Sequence, residues 1–324
     1  MTERKTWIDL LRGICMMVIL YFHTECYSKN YLVPYDFYIP NALTIFYFLS
    51  GYLFYKETPF DIKHKVLSVL QYLVIPYFIF TSIIAIPKAI AHDQDVNIIS
   101  LLLHILSGRA SWFITSLVTA ELLFSFILSA TKQNHKIIAP IVLSLLLLCS
   151  CIPFQHETII WNWHNALLAV FYLYAGYLYH IHEDRLSFLH RKTLIPVFFI
   201  VLVAFKIIES RYDISLLTYP LYTTSYTVYI LDTLTGIVLM ISVSKLLPRI
   251  KLIEWTGKHC IIYYFLCGGI PLTLSMVFLR LGWIHQHNYP MVVVLFIVVY
   301  FVTTCVVWAI YRYLPWMTGR KLRK

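Results

Sequence analysis

An arginine and a histidine, Arg12 and His23, stand eleven residues apart in the first long apolar segment of this 324-residue chain. At 100° per residue, a helix carries the second through three turns plus about 20°. Both side chains then face one way, separated along the axis by about 16 Å. An ionisable group at the centre of a membrane helix costs about 2.5–3.5 kcal/mol on insertion scales, so two on one face point to a polar path through a bundle. Histidine suits proton transfer because its unperturbed pKa lies near neutrality. Arginine stays charged and offers a fork of donors to a phosphate or a developing oxyanion. Asp9, one turn before Arg12, is placed to pair with it. The alternative is that the two side chains snorkel to opposite surfaces.

A second group of residues has the types expected around a substrate. Ser50-Gly51-Tyr52 interrupts an aromatic run from Ile45 to Phe54, and a small pair there allows close approach of a neighbouring helix or a ligand. Ser50 has no His–Asp partners at a fixed spacing, so it is not read as a nucleophile. Trp112 opens a later apolar run, a usual place for an interfacial anchor. Glu121 lies mid-run with nothing basic near it in sequence, so it must pair across helices or be protonated. Asp232 poses the same question, while Lys206 and Glu209 suit a local pair. Ser50, Gly51, Tyr52, Trp112 and Glu121 are the candidate substrate-binding set. The remaining histidines show no metal-ligand spacing, and no metal site is expected. The seven cysteines read as buried small hydrophobes.

The elements that carry these residues are apolar runs long enough to cross a bilayer of about 30 Å. There are ten, at roughly 7–27, 39–55, 69–91, 111–131, 137–153, 164–181, 193–209, 224–247, 259–281 and 290–314. The second and fifth are short, and the start of the eighth is blurred by polar residues. With the N-terminus in the cytoplasm, twenty Lys and Arg fall on the inner side and six on the outer, the asymmetry expected of inner loops. The expectation is therefore an all-α polytopic membrane protein with about ten transmembrane helices and both termini cytoplasmic. It forms a single domain over 1–324. The first run holds Asp9 and Arg12 and lacks a small-residue cleavage site, so it reads as a retained helix and not as a signal.

Composition supports the same class. The chain is 60% hydrophobic and only 13% charged, against about 45–50% and 25% for soluble domains. Its formal charge of +10 is distributed in short basic clusters between apolar runs, which indicates membrane topology and no nucleic-acid partner.

Several motifs are similar to those of one family. Trp7-Ile8-Asp9-Leu10-Leu11-Arg12-Gly13-Ile14 followed by His23, Phe48-Leu49-Ser50-Gly51-Tyr52-Leu53-Phe54, Trp112-Phe113-Ile114, Tyr174-Ala175-Gly176-Tyr177 and Glu254-Trp255-Thr256-Gly257-Lys258 with Tyr264 together resemble the acyltransferase 3 family of membrane acyltransferases. The likeness is strongest to bacterial sugar O-acetylases of the fucose 4-O-acetylase and surface-polysaccharide type. It implies O-acetylation in a bacterial cytoplasmic membrane: an acyl group passes from cytoplasmic acetyl-CoA to a hydroxyl of a glycan or lipid-linked glycan. Arg12 and His23 would be the essential pair. A phosphate-bearing donor would meet Arg12, Lys63 and Lys65, and the acceptor hydroxyl would meet His23 as general base, with Glu25 or Glu121 available to orient it. Cys267 stands where the family often has histidine, Cys260 where it has serine, and Gln71 near a common arginine. A glycan or lipid transporter or flippase is the rival reading. Such transporters often show paired broken helices in two halves, and Pro76, Pro87 and Pro271 have no symmetric counterparts. A receptor or structural protein would leave the Arg12–His23 face unexplained.

Overall fold

The computed structural model describes residues 5–56, 58–91, 96–152, 160–214, 216–218, 221–285 and 288–320. Arg4, His92, His156, Tyr219, His287, Lys321, Arg323 and Lys324, which enter the sequence reading, lie outside these residues.

Among them, fourteen α-helices follow one another: α1 Thr6–Ser28, α2 Ile39–Tyr52, α3 Ile62–Val69, α4 Ile75–Ala91, α5 Ile98–Leu106, α6 Trp112–Ala130, α7 His135–Cys151, α8 Trp163–Ile181, α9 Ile195–Arg211, α10 Tyr226–Leu246, α11 Lys251–Lys258, α12 Cys260–Leu266, α13 Ile270–Arg280 and α14 Tyr289–Tyr313. A single antiparallel hairpin, β1 Leu216–Thr218 with β2 Leu221–Thr223, interrupts the helices. The protein is an all-α membrane protein. Six helices are long and apolar enough to cross a bilayer, or seven if the pair α12 and α13, bent by 45°, is one span. Each of the ten apolar runs in the sequence is nonetheless a helix or a bent helix pair. The second and fifth are the short ones, at 14 and 17 residues.

Two features depart from the sequence reading. Lys63 and Lys65 are not in a loop before the third run: Asp61 caps α3 by accepting from the His64 N–H, and the span runs from Ile62 to Ile90 through a π-helical turn at Leu70–Val74. The π-turn restarts the helical register, so a polar first half and an apolar second half form one span. The short apolar helix α5, capped by the Asn97 side chain, is also unanticipated. At nine residues it is too short for the bilayer criterion that governed the reading.

Two glycine-mediated crossings set the bundle. A Cβ on Gly51 would sit 1.8 Å from the Leu173 carbonyl oxygen, and one on Gly176 would sit 1.9 Å from that of Phe48. Helices α2 and α8 therefore touch backbone to backbone, and the close approach of Ser50-Gly51 is made by a helix. In the same way, a Cβ on Gly13 would meet the Ile253 carbonyl oxygen at 2.1 Å, and one on Gly257 that of Asp9 at 1.8 Å. That crossing presses α1 onto α11 one residue after Arg12 and so fixes where the arginine emerges.

Candidate functional site

Helix α1 presents its two polar residues to two different cavities. The Arg12 cavity, about 410 Å³, is also lined by Ser50, Lys65, Glu121, Lys258, Cys260 and Tyr264. The helix crossing at Gly13 and Gly257 brings Lys258 to its wall, where the ammonium stands 3.9 Å from the buried Asp9 carboxylate. Lys65 reaches in from α3 and pairs with Glu121 at 2.8 Å, with its ammonium 3.9 Å from the Phe54 ring centroid. Ser50 donates its hydroxyl to the same Glu121 carboxylate. Glu121 thus pairs across helices, one of the two outcomes its sequence position allowed. The cavity holds three cationic side chains and one carboxylate, and that carboxylate is already committed.

The His23 cavity, about 480 Å³, is lined by Tyr27, Lys88, His104, Arg109, Trp112, Cys267 and again Tyr264. The imidazole stacks on Tyr27 with ring centroids 6.0 Å apart. Tyr264 lines both cavities and packs its ring 5.3 Å from that of Phe113. The two cavities therefore lie end to end along α1 and adjoin at one aromatic side chain. Short α12 runs beside them, with Cys260 on the Arg12 cavity and Cys267 on the His23 cavity.

The expected site residues divide accordingly. Arg12, Lys65, Ser50 and Glu121 are brought together in one cavity, and His23 and Trp112 in the other. Gly51, Tyr52 and Lys63 line neither. Gly51 is consumed by the crossing with α8. Tyr52 stacks on His180 at 4.1 Å and donates to Glu183, and Lys63 is exposed on α3. Glu25 accepts from the Leu32 N–H at 2.8 Å and the Tyr38 hydroxyl at 2.7 Å, so it braces the loop after α1. Lys206 pairs with Glu209 at 3.0 Å, as its spacing suggested, and with Asp232 at 2.8 Å, which answers the question Asp232 posed. Among the described residues, no group of three or more His, Cys, Asp and Glu is placed to hold a metal ion.

The sequence reading did not assign Tyr264, Lys258, Cys260, Lys88, Arg109 or His104 to a site. The first three lie in or beside the Glu254–Lys258 motif, which carried a signal without a role. Lys88 and Arg109 were counted among the six basic residues on the outer side, and that exception to the charge asymmetry was the clue available.

Two cavities that share the Tyr264 side chain in their walls, both lined by cations and one of them by His23, suit group transfer between two substrates. A family model, that of the acyltransferase 3 acyltransferase domain, matches residues 5–312. The chain belongs to the acyltransferase 3 family. It is a membrane acyltransferase, which takes an acyl group from a donor to an acceptor. No curated protein and no solved structure matches it. In general chemistry, clustered cations such as those of the Arg12 cavity can hold an anionic group, and an imidazole can accept a proton from a hydroxyl.

Proposed function

We propose that this single-domain chain, 1–324, is an O-acetyltransferase of the bacterial cytoplasmic membrane. It spans the bilayer about ten times with both termini cytoplasmic, and moves acetyl from acetyl-CoA to a hydroxyl of a glycan or lipid-linked glycan. The supporting observation is the pair of cavities meeting at Tyr264, with Arg12 in one and His23 in the other. They give a route for a reaction whose two polar groups stand three helical turns apart.

In this reading Arg12, Lys65 and Lys258 hold the phosphates of the donor. The volume of about 410 Å³ is at the lower end of small-molecule pockets. It suits the slender acyl-pantetheine arm, with the nucleotide end toward the mouth. The arm extends along α1 past Tyr264 and presents the thioester carbonyl to the His23 cavity. His23 takes the proton of the acceptor hydroxyl as its oxygen bonds to the carbonyl carbon. The carbon–sulfur bond then breaks, and the proton passes to the departing CoA sulfur. Ser50 and Lys65 hold the Glu121 carboxylate aside, so the donor's phosphates meet cations.

The test is acetylation of the native glycan, with CoA release, by His23→Ala and Arg12→Ala proteins that insert normally. Loss of the general base is expected to slow transfer by about 10²–10⁴-fold. Loss of Arg12 is expected to raise the KM for acetyl-CoA. Unchanged acetylation in both variants overturns the assignment. Movement of the glycan across proteoliposomes without CoA release would instead identify a transporter.

A further inference from the structure

The His23 cavity is cationic beyond what a neutral sugar hydroxyl needs. Lys88 from α4, Arg109 from the turn before α6 and His104 from α5 all line it together with His23, and among the described residues no carboxylate does. Lys88 lines the same cavity as His23 and Cys267. Lys88 and Arg109 belong to otherwise apolar candidate spans, where an unneutralised charge is costly. The nearby carboxylate on α1, Glu25, is turned away onto Tyr38 and Leu32. Aromatic side chains, Trp112 and Tyr27, complete the wall. Fixed positive charge beside a base and aromatic faces form a site for a sugar that bears its own negative charge.

We infer that the acceptor is an anionic glycan: a carboxylate or phosphate on the sugar unit, or on its lipid linker, sits between Lys88 and Arg109 while the reacting hydroxyl meets His23. This rests on the acyltransferase reading above and adds the acceptor's charge class to it. The two cations select the acceptor and raise its local concentration, and His23 performs the proton transfer. Lys88 and Arg109 line the His23 cavity and not the Arg12 cavity, so they stand apart from the cations proposed to hold the donor's phosphates.

The test uses the full chain in phosphatidylcholine nanodiscs, which supply no anionic lipid, and three probes: hexyl glucoside, its uronate counterpart and its phosphorylated counterpart. Binding is measured by microscale thermophoresis at low and high salt. The anionic probes are expected to bind about tenfold tighter than the neutral one, the scale of one charged hydrogen bond, with the advantage shrinking as salt rises. Preference between uronate and phosphate identifies which anion the acceptor carries. Lys88→Gln and Arg109→Gln should each remove most of the advantage, and Lys88→Arg should keep it. Equal binding of neutral and anionic probes, or a preference that survives both substitutions, overturns the inference. Acyl transfer is read separately. Transfer to a neutral acceptor, indifferent to both substitutions, leaves the acyltransferase reading standing and sinks this one. Anion preference without transfer to any acceptor does the reverse.

Discussion

At the scale of single residues, several charges in the helices meet partners across the bundle. Glu121 accepts from Ser50 and pairs with Lys65, and the Lys206 ammonium joins Glu209 and Asp232. Removing one partner of a buried pair strands the other, which costs more than removing both. Lys65→Met should therefore lower the thermal stability of the purified protein by up to about 3 kcal/mol. The double variant Lys65→Met with Glu121→Met should recover most of that loss. Equal destabilisation by the single and double variants would show that the pair is solvated and carries no such cost. This pairing was only half legible in the sequence. A carboxylate amid apolar residues demands a partner, but Lys65 lies 56 positions away, and only the packing of α3 on α6 selects it.

At the scale of elements, the motif glycines are spacers. Gly51 and Gly176 let α2 and α8 meet backbone to backbone, and Gly13 and Gly257 do the same for α1 and α11. A methyl group at Gly176 must displace the Phe48 carbonyl, whereas one at Gly269 meets nothing nearer than 3.9 Å. Gly176→Ala is expected to cost about 1–3 kcal/mol or more and to reduce the monodisperse fraction on gel filtration. Gly269→Ala should leave that fraction unchanged. Comparable yields of the two would mean that the crossing relaxes freely. The sequence marked Gly51 as a place of close approach, and Gly13, Gly176 and Gly257 only as members of motifs. It did not say whether a helix or a ligand approaches, because that depends on which face of α2 turns to α8.

At the scale of the molecule, one network ties the N-terminal helix to the far side of the bundle. Glu183, in the turn after α8, accepts from Lys5 at 2.6 Å and Lys245 at 2.8 Å, and from the Tyr52 hydroxyl. Burial alone would raise its pKa. Donation from Lys245, Lys5 and Tyr52 outweighs burial and lowers it from 4.5 to about 2. A carboxylate with a depressed folded-state pKa stabilises the fold above its ordinary pKa and loses that contribution as pH falls through the folded value. The melting temperature should therefore drop between about pH 4.5 and pH 2 by an amount that Glu183→Gln does not show. An identical acid profile for the two proteins would remove Glu183 from the account. Tyr52, expected at the substrate, serves this network, since its side chain turns onto His180 and Glu183 while Ser50 and Leu53 on either side line the Arg12 cavity.

By itself the sequence determined the class of the protein and singled out the polar residues of the first helix. Apolar content required a bilayer, the ten runs became helices or a bent pair, and helical periodicity put Arg12 and His23 on one side of α1. These are local properties, fixed by composition and by 3.6 residues per turn. The tertiary structure decided that this one face serves two cavities, that Tyr264 lines both, and that Lys88 and Arg109 share a cavity with His23. Those facts depend on which helices cross and where α12 bends away from α13. Contacts between segments so far apart in the chain leave no periodicity in the sequence.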